Sequence, residues 1–181
     1  MTKTQENLST QPIAGNGLSE YLYLIRDAHI EIEYLLQSLS EHFEDNPCKT
    51  CTDVCCNEKI CRESVDSEFL RFILGPQLNN YGANLGWFEP NSGCQLKYGR
   101  PMVCYEYFCD KFQTQGHKRL QTLSRELKSV YSKAFAGQHI LEVQDIKKIS
   151  VNKLKIILGR LQKLSDAANE ALRQQIRTLL D

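Results

Sequence analysis

Eight cysteines, gathered in two groups, are the residues of this 181-residue chain best equipped for chemistry. The first group reads Cys48-x2-Cys51-x3-Cys55-Cys56-x4-Cys61. A two-residue gap folds two sulfurs to one side of a turn, so Cys48 and Cys51 are set to grip one ion. Tetrahedral zinc takes four such thiolates with local gaps of about two to four residues. Iron–sulfur clusters take the same ligands at comparable spacings. Adjacent side chains in an extended segment point to opposite sides, so Cys55 and Cys56 are not expected to share one zinc.

The second group is Cys94-x9-Cys104-x4-Cys109. Three thiols cannot close a four-ligand site. The spacing therefore predicts that both groups contribute to one site, which would staple two loops across the element between them. All eight of Cys48, Cys51, Cys55, Cys56, Cys61, Cys94, Cys104 and Cys109 are candidate metal ligands. Zinc is the first expectation for the cofactor, and an iron–sulfur cluster is the alternative.

The elements that must position these loops are helical. Tyr21, Ile25, Ala28, Ile32, Leu35, Leu39 and Phe43 recur every three or four residues, which predicts a helix from about 18 to 43 with Ser19 as N-cap and Asn46-Pro47 as stop. A second helix is expected over 65–74, capped by Ser64 or Asp66 and ended by Gly75-Pro76. Residues 76–93 are rich in Gly, Asn and Pro and read as a loop. Leu120, Leu123, Leu127, Val130 and Tyr131 predict a helix over 118–136, and HILEV after it a short extended piece. Leu154, Leu158, Leu161, Ala168, Leu172 and Leu179 predict a long helix over 151–180 with a break near Ser165-Asp166. The expected fold is mainly α, with helices flanking two irregular cysteine-rich loops joined through a metal site. The expected organisation is a polar tail at 1–16 and a single domain at 17–181. Within that domain 48–109 is the cysteine-rich segment and 118–181 supplies the C-terminal helices.

Composition bounds what such a site is for. Hydrophobic residues make up 41% and charged residues 24%, ordinary values for a globular protein long enough to bury a core without cross-links. The 22 basic residues balance the 22 acidic ones, which gives no reason to expect nucleic acid as a partner. The charge is unevenly placed. Residues 17–47 hold seven acidic side chains against Arg26, and residues 146–181 hold eight basic against three acidic. Two helices of opposite charge packing side by side is the plain reading, and a basic face for a protein partner the sharper one. The first residues lack an apolar secretory core and no apolar run approaches the ~20 residues of a membrane helix. A cytoplasmic location is expected, where clustered thiols bind metal or catalyse rather than pair as disulfides.

The two segments together carry a recognisable pattern. C-x2-C-x3-C-C is followed by C-x-L-x3-R-P-x2-C-x2-Y-x-C, formed by Cys94, Leu96, Arg100-Pro101, Cys104, Tyr107 and Cys109. This resembles the zinc- or iron-chelating family named for its CxxCxxCC motif, the YkgJ-like proteins, over residues 48–109. The gap between Cys51 and Cys55 is three residues where the name motif has two. The resemblance implies metal chelation by eight cysteines, with zinc, iron or an iron–sulfur cluster as the cargo. A related domain occurs in flagellin lysine methylases, which are longer chains.

Other residues carry less. Arg100 is placed to hydrogen-bond a thiolate or a nearby carbonyl. Trp87, Phe88, Tyr105, Tyr107, Phe108 and Phe112 read as core packing or as a dry shell around a metal. His29, His42, His117 and His139 are scattered, none three residues after a glutamate, which argues against a di-iron bundle. No Walker loop, dinucleotide fingerprint, nucleophile elbow or HExxH occurs, so no catalytic residues are assigned. The reading is a metal-binding protein with an at least partly structural site. The alternatives are an iron–sulfur redox or methyltransferase-associated enzyme and an interaction module using the basic C-terminal helix.

Overall fold

The computed structural model describes residues 17–43, 58–89, 93–105, 115–134 and 149–180. Among the described residues five α-helices dominate: α1 (Gly17–Glu41), α2 (Glu58–Asp66), α3 (Glu68–Leu74), α4 (Gln115–Ala134) and α5 (Val151–Leu180). Between α3 and α4 the chain makes a 3-10 turn at Gly75–Asn80 and two-residue strands β1 (Phe88–Glu89) and β2 (Gly93–Cys94). A second 3-10 turn follows at Met102–Tyr105. The strands pair antiparallel, Phe88 opposite Cys94 and Glu89 opposite Gly93. The expected mainly α architecture holds. None of the described helices is long and apolar enough to cross a membrane.

The core is the seam where α1 and α4 pack along α5. Ile25, Ile32 and Leu39 from α1 meet Leu120, Leu127 and Tyr131 from α4 and Leu154, Ile157 and Leu161 from α5. A helix repeats every 3.6 residues, so apolar groups three and four apart form one stripe and bury together. On α1 this stripe is turned slightly from the expected one: Leu22, His29 and Leu36 are buried, while Tyr21, Ala28 and Leu35 are half-buried. The acidic α1 does lie along the basic α5, as the charge distribution suggested.

Several local expectations need correction. α1 begins at Gly17, so Ser19 lies inside its first turn rather than capping it. The helix expected over 65–74 begins earlier, at Glu58, and breaks at Ser67. Ser67 is extended (φ −73°, ψ 122°) and its hydroxyl accepts from the Leu70 amide, so it caps α3 in place of Ser64 or Asp66. Gly75 then ends α3 at φ 52°, as expected of the Gly-Pro stop. The fourth helix runs over Gln115–Ala134 and starts before Lys118. α5 is unbroken: Ser165 and Asp166 continue the helix, and Ser165 is buried on its core face. Leu179, counted in the apolar stripe, is instead exposed beyond the seam. Asn46-Pro47, the HILEV stretch and His139 lie outside the described residues.

Candidate metal centre

Three of the eight thiols are described. Cys61 is buried in α2, in a small apolar cluster with Leu74, Trp87 and Leu96. Gly86 there has φ 61°, and a Cβ on it would stand 2.6 Å from the Cys61 sulfur, so the position requires glycine. Cys94 is exposed at the end of β2, and Cys104 is half-buried in the second 3-10 turn. Cys48, Cys51, Cys55, Cys56 and Cys109 lie outside the described residues, as do Tyr107, Phe108 and Phe112. Among the described residues no three His, Cys, Asp or Glu side chains form a metal-holding group. A thiolate site would therefore draw on the five further cysteines.

The segment that carries Cys94 and Cys104 is irregular, yet its backbone groups are answered one after another. The Gln95 amide donates to the Trp87 carbonyl at 2.8 Å. The Lys97 amide donates to Gln77 Oε1 at 3.0 Å, and Gln77 Nε2 returns to the Tyr98 carbonyl at 3.1 Å. Gln37 of α1 donates to the Lys97 carbonyl. Ser64 of α2 donates to the Gly99 carbonyl at 2.8 Å. The Gly99 and Arg100 amides both donate to the carboxylate of Glu33, the second at 3.3 Å. Side chains from α1, α2 and the first 3-10 turn thus stand in for the strand neighbour this segment lacks. Gly99 has φ 78°, and a Cβ there would meet Leu74 Cδ2 at 2.8 Å, so only glycine lets the chain approach α3 this closely.

Glu33 is the centre of this arrangement and is wholly buried. Besides the two amides it accepts from the Tyr105 hydroxyl, and Arg100 Nη1 lies 3.4 Å away. Three of these donors fall on Oε1 and the Gly99 amide on Oε2. His29, one helical turn earlier, places Nε2 3.1 Å from Oε2 but without hydrogen-bond geometry. Its Nδ1 is 2.6 Å from the Tyr131 hydroxyl of α4. Burial pushes the Glu33 pKa up. His29, Arg100 and Tyr105 outweigh it, so the carboxyl titrates below its ordinary range. Burial, and then the Glu33 charge, holds the Tyr105 and Tyr131 phenols well above theirs.

Arg100 spans two roles. Its Nη2 donates to the Leu96 carbonyl at 2.7 Å, which is the carbonyl contact its place in the sequence suggested. Burial lowers its pKa. The negative charge of Glu33 outweighs that, with smaller contributions from Tyr105, Cys94 and Cys104. The guanidinium therefore lies within electrostatic reach of both described thiols of the second group. Glu33 was missed in the sequence because one acid among the five of α1 carries no mark. Its only signal was sitting on the apolar stripe beside Ile32 and Leu36.

Two contacts bring the ends of the cysteine segments together. Phe43, five residues before Cys48, packs edge-on to His117, eight residues after Cys109, with ring centroids 4.7 Å apart. Cys61, closing the first group, shares its apolar cluster with Leu96, two residues after Cys94. Trp87 and Tyr105 are both buried, as either core packing or a dry shell requires. Comparison with protein-family models, curated proteins and solved structures finds no match.

Proposed function

We propose that this chain binds metal through cysteine thiolates drawn from both segments, in the manner of the YkgJ-like chelating proteins its motif resembles. Zinc is the first candidate cargo and an iron–sulfur cluster the second. The observation that carries the reading is the convergence of the segment ends. The Phe43–His117 ring contact and the apolar cluster shared by Cys61 and Leu96 bracket the two cysteine runs. If four protein thiolates close around zinc, no position is left for water, so the site is structural rather than hydrolytic. Metal of this kind contributes folding energy to the segments it orders, on the order of 10 kcal/mol in small zinc domains.

The experiment is purification of the full chain under anaerobic conditions with elemental analysis and a visible spectrum. Stoichiometric zinc in colourless protein supports the first cargo, and brown protein with stoichiometric iron and sulfide supports the second. Protein carrying neither, and taking up neither on reconstitution, overturns the reading. Chelation of bound metal is expected to speed amide exchange across 48–109 while α1 and α5 keep their protection. Uniform loss across all helices would mean that the metal holds the whole fold.

A further inference from the structure

We infer that Glu33 is a positioning residue for Cys94 and Cys104, holding the second cysteine segment in its metal-competent shape from a helix that supplies no thiol. The inference rests on the metal-binding reading above and adds to it a residue outside both cysteine groups.

The geometry is specific. Glu33 reaches the segment at three places: the Gly99 amide, the Arg100 amide and side chain, and the Tyr105 hydroxyl. Tyr105 directly follows Cys104, and Arg100 in turn grips the Leu96 carbonyl two residues past Cys94. One carboxylate thus fixes the chain beside each of the two thiols. Both oxygens are used, and the group is sealed from water, so the tie is not shared with solvent. A metal ion binds most tightly where ligands need not be ordered at the moment of binding.

The test is Glu33→Gln in the full chain. The amide keeps size and shape, but its NH₂ must face one of the donors Glu33 now accepts, so at least one tie is broken. Zinc affinity, measured by competition with a chromophoric chelator, is expected to fall roughly 10–100-fold, the usual effect of removing a group that orients ligands. Exchange of the Gly99 and Arg100 amides should quicken in the same variant. Ile157→Val in the helix seam serves as a control, lowering the melting temperature through the core alone, and should leave zinc affinity unchanged. Should Glu33→Gln fail to fold, Tyr105→Phe removes one tie only and is read in its place, with a smaller loss expected. Unchanged affinity in the Glu33 or Tyr105 variant overturns the inference while leaving metal binding intact. So does an equal loss in Ile157→Val, which would reduce the effect to general stability. A wild-type chain that binds no metal overturns the reading beneath it instead.

Discussion

Helix α1 meets its neighbours in two different ways. Toward α4 and α5 it offers Ile25, Ile32 and Leu39, side chains that attract by area removed from water and tolerate small shifts. Toward the segment carrying Cys94 and Cys104 it offers Glu33 and Gln37, whose hydrogen bonds require particular atoms at particular distances. The first contact is broad and non-directional. The second is narrow and directional: the Gln95, Lys97, Gly99 and Arg100 amides and the Lys97, Tyr98 and Gly99 carbonyls are answered by Trp87, Gln77, Gln37, Ser64 and Glu33. Burial suffices to assemble helices, whereas an irregular segment that must present thiols in fixed directions needs polar ties.

The same contrast explains what could be read from the residues. Leu120, Leu123, Leu127, Val130 and Tyr131 announce a buried helix face because periodicity is a property of the chain itself, and all five are buried. The ties are pairings across tens of residues, such as Glu33 with Gly99, and nothing local marks either partner. Ser64 shows how local logic misleads. Its position ahead of an apolar run suggested a helix cap, yet its hydroxyl reaches across to the Gly99 carbonyl, and Ser67 takes the cap. The cysteine pattern told of thiol chemistry through residue type and spacing, while the carboxylate that organises its second half stayed invisible.

The comparison can be broken first at the seam. Leu127 is fully buried between the helices, and Leu127→Ala is expected to cost about 2–5 kcal/mol through lost contacts and the cavity left behind. Because α1 belongs to both regions, urea unfolding followed by far-UV circular dichroism should show a lower midpoint with the segment lost in the same transition. A change below about 1 kcal/mol would mean that the seam repacks freely and is not the foundation of the fold.

A change on the other side should be local. Gly99→Ala forces a side chain into a left-handed backbone and against Leu74, costing about 1–3 kcal/mol. Amide exchange is expected to quicken over 95–105 while α5 keeps its protection. Equal loss of protection in α5 would show that the segment and the seam are one cooperative unit, and the contrast drawn above would not hold.

The smallest expected effect sharpens the contrast through pH. The folded Glu33 carboxyl titrates below its unfolded value, so its stabilising contribution is complete above the ordinary carboxylate range near pH ~4.3. That contribution is lost as pH falls through the folded value. Each pKa unit of depression corresponds to roughly 1.4 kcal/mol. Tyr105 and Tyr131 act at the opposite end, since their raised pKa values keep their contribution intact below pH ~10 and lose it only above. Trp87 is the single tryptophan, and its Nε1 donates to the carbonyl of Gln77, the residue that brackets Lys97 and Tyr98. Its fluorescence therefore reports on the tied segment, while circular dichroism reports on the helices. On acidification the fluorescence should shift before the helical signal falls, and in Glu33→Gln this early step should vanish because the titrating group is gone. Coincident loss of both signals in the wild type would mean that protonating Glu33 releases the seam as well. The carboxylate would then be part of the foundation rather than a peg driven into it.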